Sequence, residues 1–139
     1  MKTEPNRILY ARGFTLIELL ITIVILGLLA SIVAPEMFSK VGSTKRKTAA
    51  AQMKMFETAI NTFRLDVGDI PTTLDALRVK GETKDWDGPY LPKNIPLDPW
   101  GNPYEYRTPG DNGNAFYLAS FGKDGQSGGE DENADIVHK

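Results

Sequence analysis

One long apolar run stands near the N-terminus, and beyond it the rhythm changes. Residues 14–34 read FTLIELLITIVILGLLASIVA, and Glu18 is the one charged side chain among them. As a helix, this block would be about 31 Å long at roughly 1.5 Å per residue, the thickness of a bilayer core. Beyond Pro35 the apolar residues thin out into a stripe. Ala49, Met53, Phe56, Ile60, Phe63 and Val67 recur at steps of three and four, with Lys54, Glu57, Asn61 and Arg64 mostly between them. That spacing predicts an amphipathic helix packing one face on a core and ending at Gly68. Pro35 and the Gly42-Ser43 pair are the positions where such a helix would bend or locally unwind.

After Gly68 the signals shorten. Pro71 to Leu77 reads as a short helix, with Leu74 and Leu77 as its apolar stripe and Thr72 and Asp75 at capping-box spacing. Residues 81–101 hold four prolines and three glycines, which predicts an ordered irregular loop. Residues 104–107 and 115–121 alternate as strands, separated by the turn Pro109-Gly110-Asp111-Asn112-Gly113, and residues 134–138 form a last short strand. The expected class is α+β: a long N-terminal helix, half membrane-spanning and half amphipathic, packed on a small C-terminal antiparallel sheet.

The apolar block has two rival readings. A buried helix of a soluble protein would need apolar partners all round, and a chain of 139 residues has too few to supply them. A secretory signal would be cut after the block, where Ala30, Ser31 and Ala34 offer small residues but Pro35 follows directly. The segment before the block is polar, carries Lys2, Arg7 and Arg12, and ends in Gly13 against Phe14. A cut there would remove the polar head and keep the apolar rod. Lys40, Lys45, Arg46 and Lys47 lie on the other side, so charge bias does not fix the membrane orientation.

Composition removes further functions. There is no cysteine, hence no thiolate zinc site, thiol catalysis or disulfide. Net charge is −2, so no global field favours nucleic acid, and the one basic run, Lys45-Arg46-Lys47, reads as a solvated face that could also contact lipid head groups before assembly. The sole histidine, His138, is read as a solvated terminal residue. No nucleophile-base pair, phosphate loop or zinc spacing occurs, so no enzyme is expected. Residues 121–136 hold five acids among several glycines. Taken alone this is a flexible solvated loop, and it lacks the ligand spacing of an EF-hand.

Gly13-Phe14-Thr15-Leu16-Ile17-Glu18 resembles the processing site of type IV prepilins, and Pro35 lies where pilins commonly carry a helix-kinking proline. The resemblance implies a leader over residues 1–13, an assembly helix over 14–35 and a periplasmic domain over 36–139. A prepilin peptidase would cut between Gly13 and Phe14 and methylate the new Phe14 amine. Glu18, an ionisable group that a membrane segment carries only at a cost, would pair with Phe14 of a neighbouring subunit and set its register. Asp98-Pro99-Trp100-Gly101-Asn102-Pro103-Tyr104 resembles the signature of major pseudopilins of the type II secretion system, the general secretion pathway protein G family.

That family polymerises with itself into a periplasmic pseudopilus that drives folded proteins across the outer membrane. Its partners are minor pseudopilins and the inner-membrane assembly platform. Its members also bind calcium in the acidic loop. Ser120-Phe121-Gly122-Lys123-Asp124-Gly125 is similar to the family's calcium motif. The resemblance implies ligands at Asp124, Asp135 and the carbonyls of Phe121 and Gln126. Asp131 stands in for an aspartate that some members carry where this chain has Ala134. The alternatives are an adhesive or motility pilin, which commonly closes its last loop with cysteines, and a minor pseudopilin, which can lack the equivalent of Glu18.

Overall fold

A computed structural model describes residues 13–139. The expected leader therefore lies outside the described residues except for Gly13. The chain divides into two compact units, Met1–Phe38 and Ser39–Lys139.

Helix α1, Leu16–Val67, contains Pro35. Neither Pro35 nor Gly42-Ser43 interrupts its helical assignment. The apolar window near its start is wholly unburied, and Leu16, Ile23, Leu28 and Ile32 all stand open. Its hydroxyls find partners on the helix itself. Thr22 Oγ1 donates to the Glu18 carbonyl at 2.7 Å and Ser31 Oγ to the Leu28 carbonyl at 2.7 Å. Hydroxyls that bond back to their own helix suit a hydrocarbon environment, which offers no water as partner.

In the second unit the predicted stripe is the core face of α1. Ala49, Met53, Phe56, Ile60 and Phe63 are buried as expected, joined by Ala59. Val67 is partly buried and packs against the same cluster. α1 ends at Gly68, whose φ of +87° is a left-handed conformation that glycine adopts without the usual penalty. Facing the stripe are Leu74, Leu77, Leu91, Tyr104 and Leu118. Three edge-to-face aromatic pairs knit this core: Phe56 with Tyr104 at 5.2 Å, Phe63 with Tyr90 at 5.4 Å and Trp86 with Tyr90 at 5.6 Å. Trp86 and Tyr106 keep their polar ends satisfied by donating to the carbonyls of Ala76 at 2.8 Å and Pro71 at 2.6 Å.

The sheet has strands β1 (Glu105–Arg107), β2 (Tyr117–Ser120) and β3 (Ile136–Val137), antiparallel in the order β1-β2-β3. Tyr106 pairs with Leu118, and Ser120 with Ile136. All three strands are shorter than the sequence pattern suggests. At the expected starts of β2 and β3 the carbonyls are engaged elsewhere: Ala115 gives its carbonyl to the Thr108 hydroxyl and Ala134 gives its own to Arg46.

Two local expectations are corrected. The short helix is a 3₁₀ turn, Leu74–Leu77, preceded by Thr73 as N-cap with no side-chain cap bond, so the Thr72 and Asp75 capping box does not form. Leu74 and Leu77 are buried, because a three-residue turn eclipses positions i and i+3. His138 is not a solvated end residue. Its side chain is 13% exposed beside Glu57 and its ring stacks on Phe116, because its amide continues the sheet by donating to the Leu118 carbonyl at 2.9 Å.

Candidate functional site

Two places gather the residues singled out by sequence. At the start of α1, Phe14 is 88% exposed and Gly13 has no heavy atom near the position of a Cβ. Thr15 and Glu18 form a reciprocal pair. The Glu18 amide donates to Thr15 Oγ1 at 3.2 Å, and the Thr15 amide donates to Glu18 Oε2 at 3.5 Å. This is a capping box, and it gives Glu18 a helix-starting role that the sequence reading missed. The spacing Thr15-x-x-Glu18 was the signal for it. A carboxylate at this end also offsets the positive pole of the helix dipole.

The second place is the acidic loop. It is ordered, contrary to its composition taken alone. Gly122, Gly125, Gly128 and Gly129 all have positive φ, and a 3₁₀ turn, Asp131–Asn133, leads into β3. The loop closes on itself from both ends. The Gln126 amide donates to Asp124 Oδ1 at 3.1 Å, and the Gly128 amide donates to both carboxylate oxygens of Asp135 at 3.0 Å. The Lys123 amide donates to the Glu132 carbonyl at 2.9 Å, while Lys123 Nζ reaches Glu132 Oε2 at 3.1 Å.

The loop docks on α1 through Arg46, whose Nη1 donates to the carbonyls of Asp131 at 3.2 Å and Ala134 at 2.8 Å. Asp131 and Glu132 form one wall of a groove whose other wall is Ser39, Gly42, Ser43, Arg46 and Lys47. Asp131 is thus placed on the α1 side of the loop. Among the described residues no group of three or more His, Cys, Asp or Glu is placed to hold a metal ion, so Asp124, Asp131 and Asp135 do not converge as three acids.

Behind the loop lies a buried carboxylate that sequence reading treated only as part of a structural motif. Asp98 is 4% exposed. Its Oδ1 accepts from the amides of Trp100 at 3.0 Å and Asn102 at 2.8 Å, and its Oδ2 accepts from the Ser120 hydroxyl at 2.6 Å. Three donors compensate the loss of water around this group. Nearby, burial and then the Asp98 charge push the Tyr104 phenol far above its usual range. Burial alone pushes Tyr106 up to about 12. On the exposed face of α1, the hydrogen bond from Lys54 holds the Glu57 carboxyl below its usual range, with His138 adding to it.

A helix with a bare apolar N-terminal part, continued by an amphipathic part carrying a three-stranded antiparallel sheet, defines a pilin-like subunit. The prokaryotic N-terminal methylation motif matches residues 9–34, and the family described as type II secretion system (T2SS), protein G, matches residues 36–139. The chain belongs to that family, the major pseudopilins of the type II secretion system. It is 41% identical over 131 residues to the type II secretion system core protein G of Pseudomonas aeruginosa, covering 89% of this chain and 92% of the relative. To the core protein G of Vibrio cholerae it is 40% identical, covering 89% and 88%. The crystal structure of the major pseudopilin from enterohaemorrhagic Escherichia coli superposes with a TM-score of 0.59 at 29% identity, covering 74% of this chain and 93% of that one.

Proposed function

We propose that the chain is anchored in the inner membrane by residues 14–35, with residues 36–139 in the periplasm, and that it polymerises there into a pseudopilus. The observation that carries this reading is the wholly exposed apolar start of α1, with Glu18 as the one charged side chain of residues 14–34. In water such a surface is unstable. In lipid it is at home, and in a filament the helices of neighbours cover it. Each added copy is then withdrawn from the membrane and stacked, and the growing rod pushes folded cargo outward. The chemistry at its start belongs to a prepilin peptidase, cutting between Gly13 and Phe14 and methylating Phe14. The chain itself does no catalysis. Its further partners are the minor pseudopilins and the inner-membrane assembly platform.

Glu18 has two roles in sequence. In the monomer its carboxylate caps α1 through Thr15. In the filament the Phe14 amine of a neighbouring copy offers a charged donor in place of the neutral Thr15 amide. The capping bond is already charge-assisted by the carboxylate; the ammonium adds a second full charge in a low-dielectric filament core, so the carboxylate exchanges one partner for the other. Electron microscopy of sheared filaments tests this: wild type should yield fibres and Glu18→Leu few or none. Abundant fibres from Glu18→Leu would contradict it.

The acidic loop is proposed to bind calcium. The donor set is all oxygen, as calcium prefers. Outside the strand ladders, no hydrogen bond among the described residues ends on the Phe121 or Gln126 carbonyl, so both are free to serve. With the carboxylates of Asp124 and Asp135 they supply about six oxygens, the lower end of calcium's range. Bound calcium would supply the divalent charge that holds the two ends of the loop together. Gly128 would then release one Asp135 oxygen. Asp131 reaches this set only by leaving the α1 groove, and calcium affinity of Asp131→Asn separates the two placements.

A further inference from the structure

The side chain of Asn102 joins two parts of the molecule that sequence keeps apart. Its Nδ2 donates to the Gly122 carbonyl at 2.9 Å. Its amide group also fills the space beside Gly125, where a Cβ would stand 3.1 Å from both Asn102 Cγ and Oδ1. Gly122 and Gly125 flank Lys123 and Asp124, and Phe121 and Gln126 lie immediately outside them. Asn102 therefore grips the leg of the acidic loop that holds three of the four main proposed calcium ligands, without supplying one.

The grip is itself held from behind. The Asn102 amide donates to Asp98 Oδ1, and the Asn102 carbonyl accepts from the Asp98 amide at 2.8 Å. Ser120 bonds Asp98 Oδ2, and its Oγ accepts from the Gly122 amide at 3.3 Å. Gly122 is thus tied at both its amide and its carbonyl, one through Ser120 and one through Asn102, and both ties lead to Asp98. Gly122 has φ of +69° and Gly125 of +67°, so each is a swivel with little resistance of its own. Fixing such swivels removes conformational freedom that a cation would otherwise have to freeze on binding.

We infer that Asn102 is a positioning residue for the calcium loop, setting the direction of the Phe121 and Gln126 carbonyls before the ion arrives. This rests on the calcium reading above. It also gives the Asp98-Pro99-Trp100-Gly101-Asn102 signature a purpose beyond packing: the turn is the back wall of the loop.

The test is calcium titration of the full chain in detergent, with melting followed in chelator and in saturating calcium. Asn102→Ala is compared with Tyr106→Phe, which likewise removes one side-chain bond to a backbone carbonyl, that of Pro71, remote in sequence from the loop. Asn102→Ala should weaken calcium binding about tenfold and shrink the calcium-dependent rise in melting temperature. Tyr106→Phe should lower melting in chelator and leave affinity within about twofold of wild type. Should Asn102→Ala not fold, Asn102→Ser, too short to reach Gly122, is read the same way. Equal affinity of wild type and Asn102→Ala, or equal weakening by both variants, overturns the inference while the calcium reading stands. No calcium binding by wild type overturns the calcium reading and the inference with it.

Discussion

Gly42 and Glu132 meet where α1 and the acidic loop approach so closely that a side chain at Gly42 must displace Glu132. A Cβ on Gly42 would stand 2.8 Å from Glu132 Oε1 and 3.0 Å from its Cγ. A glycine inside a helix costs about 1 kcal/mol relative to alanine, and here that cost secures the close approach of a loop carrying the candidate metal ligands.

Two opposing effects decide what substitution does at Gly42. Gly42→Ala gains about 1 kcal/mol of helix propensity and displaces only the movable end of Glu132, so its melting temperature should stay near that of wild type. Gly42→Leu cannot be accommodated by a shift of one side chain. It should cost about 1–3 kcal/mol and raise amide exchange through Asp131–Asn133, measured by hydrogen–deuterium exchange. Arg46→Ala removes the other tie and should open the same turn.

Ser120→Ala leaves Asp98 Oδ2 buried without its hydroxyl donor. An unsatisfied buried acceptor costs about 1–3 kcal/mol, more when charged, and chemical denaturation should find a loss in that range. Asp98→Asn places an amide where an acceptor is needed, and should cost at least as much.

Alkaline pH should destabilise the second unit. The folded state holds Tyr104 and Tyr106 neutral above the ordinary phenol range, so between about pH 10 and about pH 12 the unfolded chain releases protons that the folded chain keeps. The unfolded state therefore binds fewer protons there, and stability falls as pH rises. Below about pH 10 these two phenols contribute no slope. Melting temperature measured across that window should drop, and Tyr106→Phe should flatten part of the drop.

Chelation should lower the melting temperature and loosen β3, because Asp135 immediately precedes Ile136. With calcium at about 100 times its dissociation constant, the expected gain is about 2.7 kcal/mol. Calorimetry of the full chain with and without chelator measures it. Asp124→Ala should abolish the difference.

The helical stripe and the apolar block were legible because both are long, and a period sustained over several turns leaves little ambiguity. Ala59 was missed from the core because alanine is equally at home on either face. The Thr72 and Asp75 capping spacing misled, since two buried leucines three residues apart suit a 3₁₀ turn as well as a helix. The acidic loop reads as solvated from its charges. Its order comes from partners distant in sequence, Asn102 at Gly122 and Arg46 at Asp131 and Ala134, which no local pattern reveals. The burial of Asp98 was hidden for the same reason: its hydroxyl partner, Ser120, lies on β2, distant in sequence.

The central claim is that processing removes the polar head and keeps the apolar rod. Intact-mass analysis of the chain co-expressed with a prepilin peptidase tests it most directly. The account predicts a product beginning at Phe14 and carrying one added methyl group on its amine. A product that has lost residues 14–34, cut beyond Pro35, would contradict it.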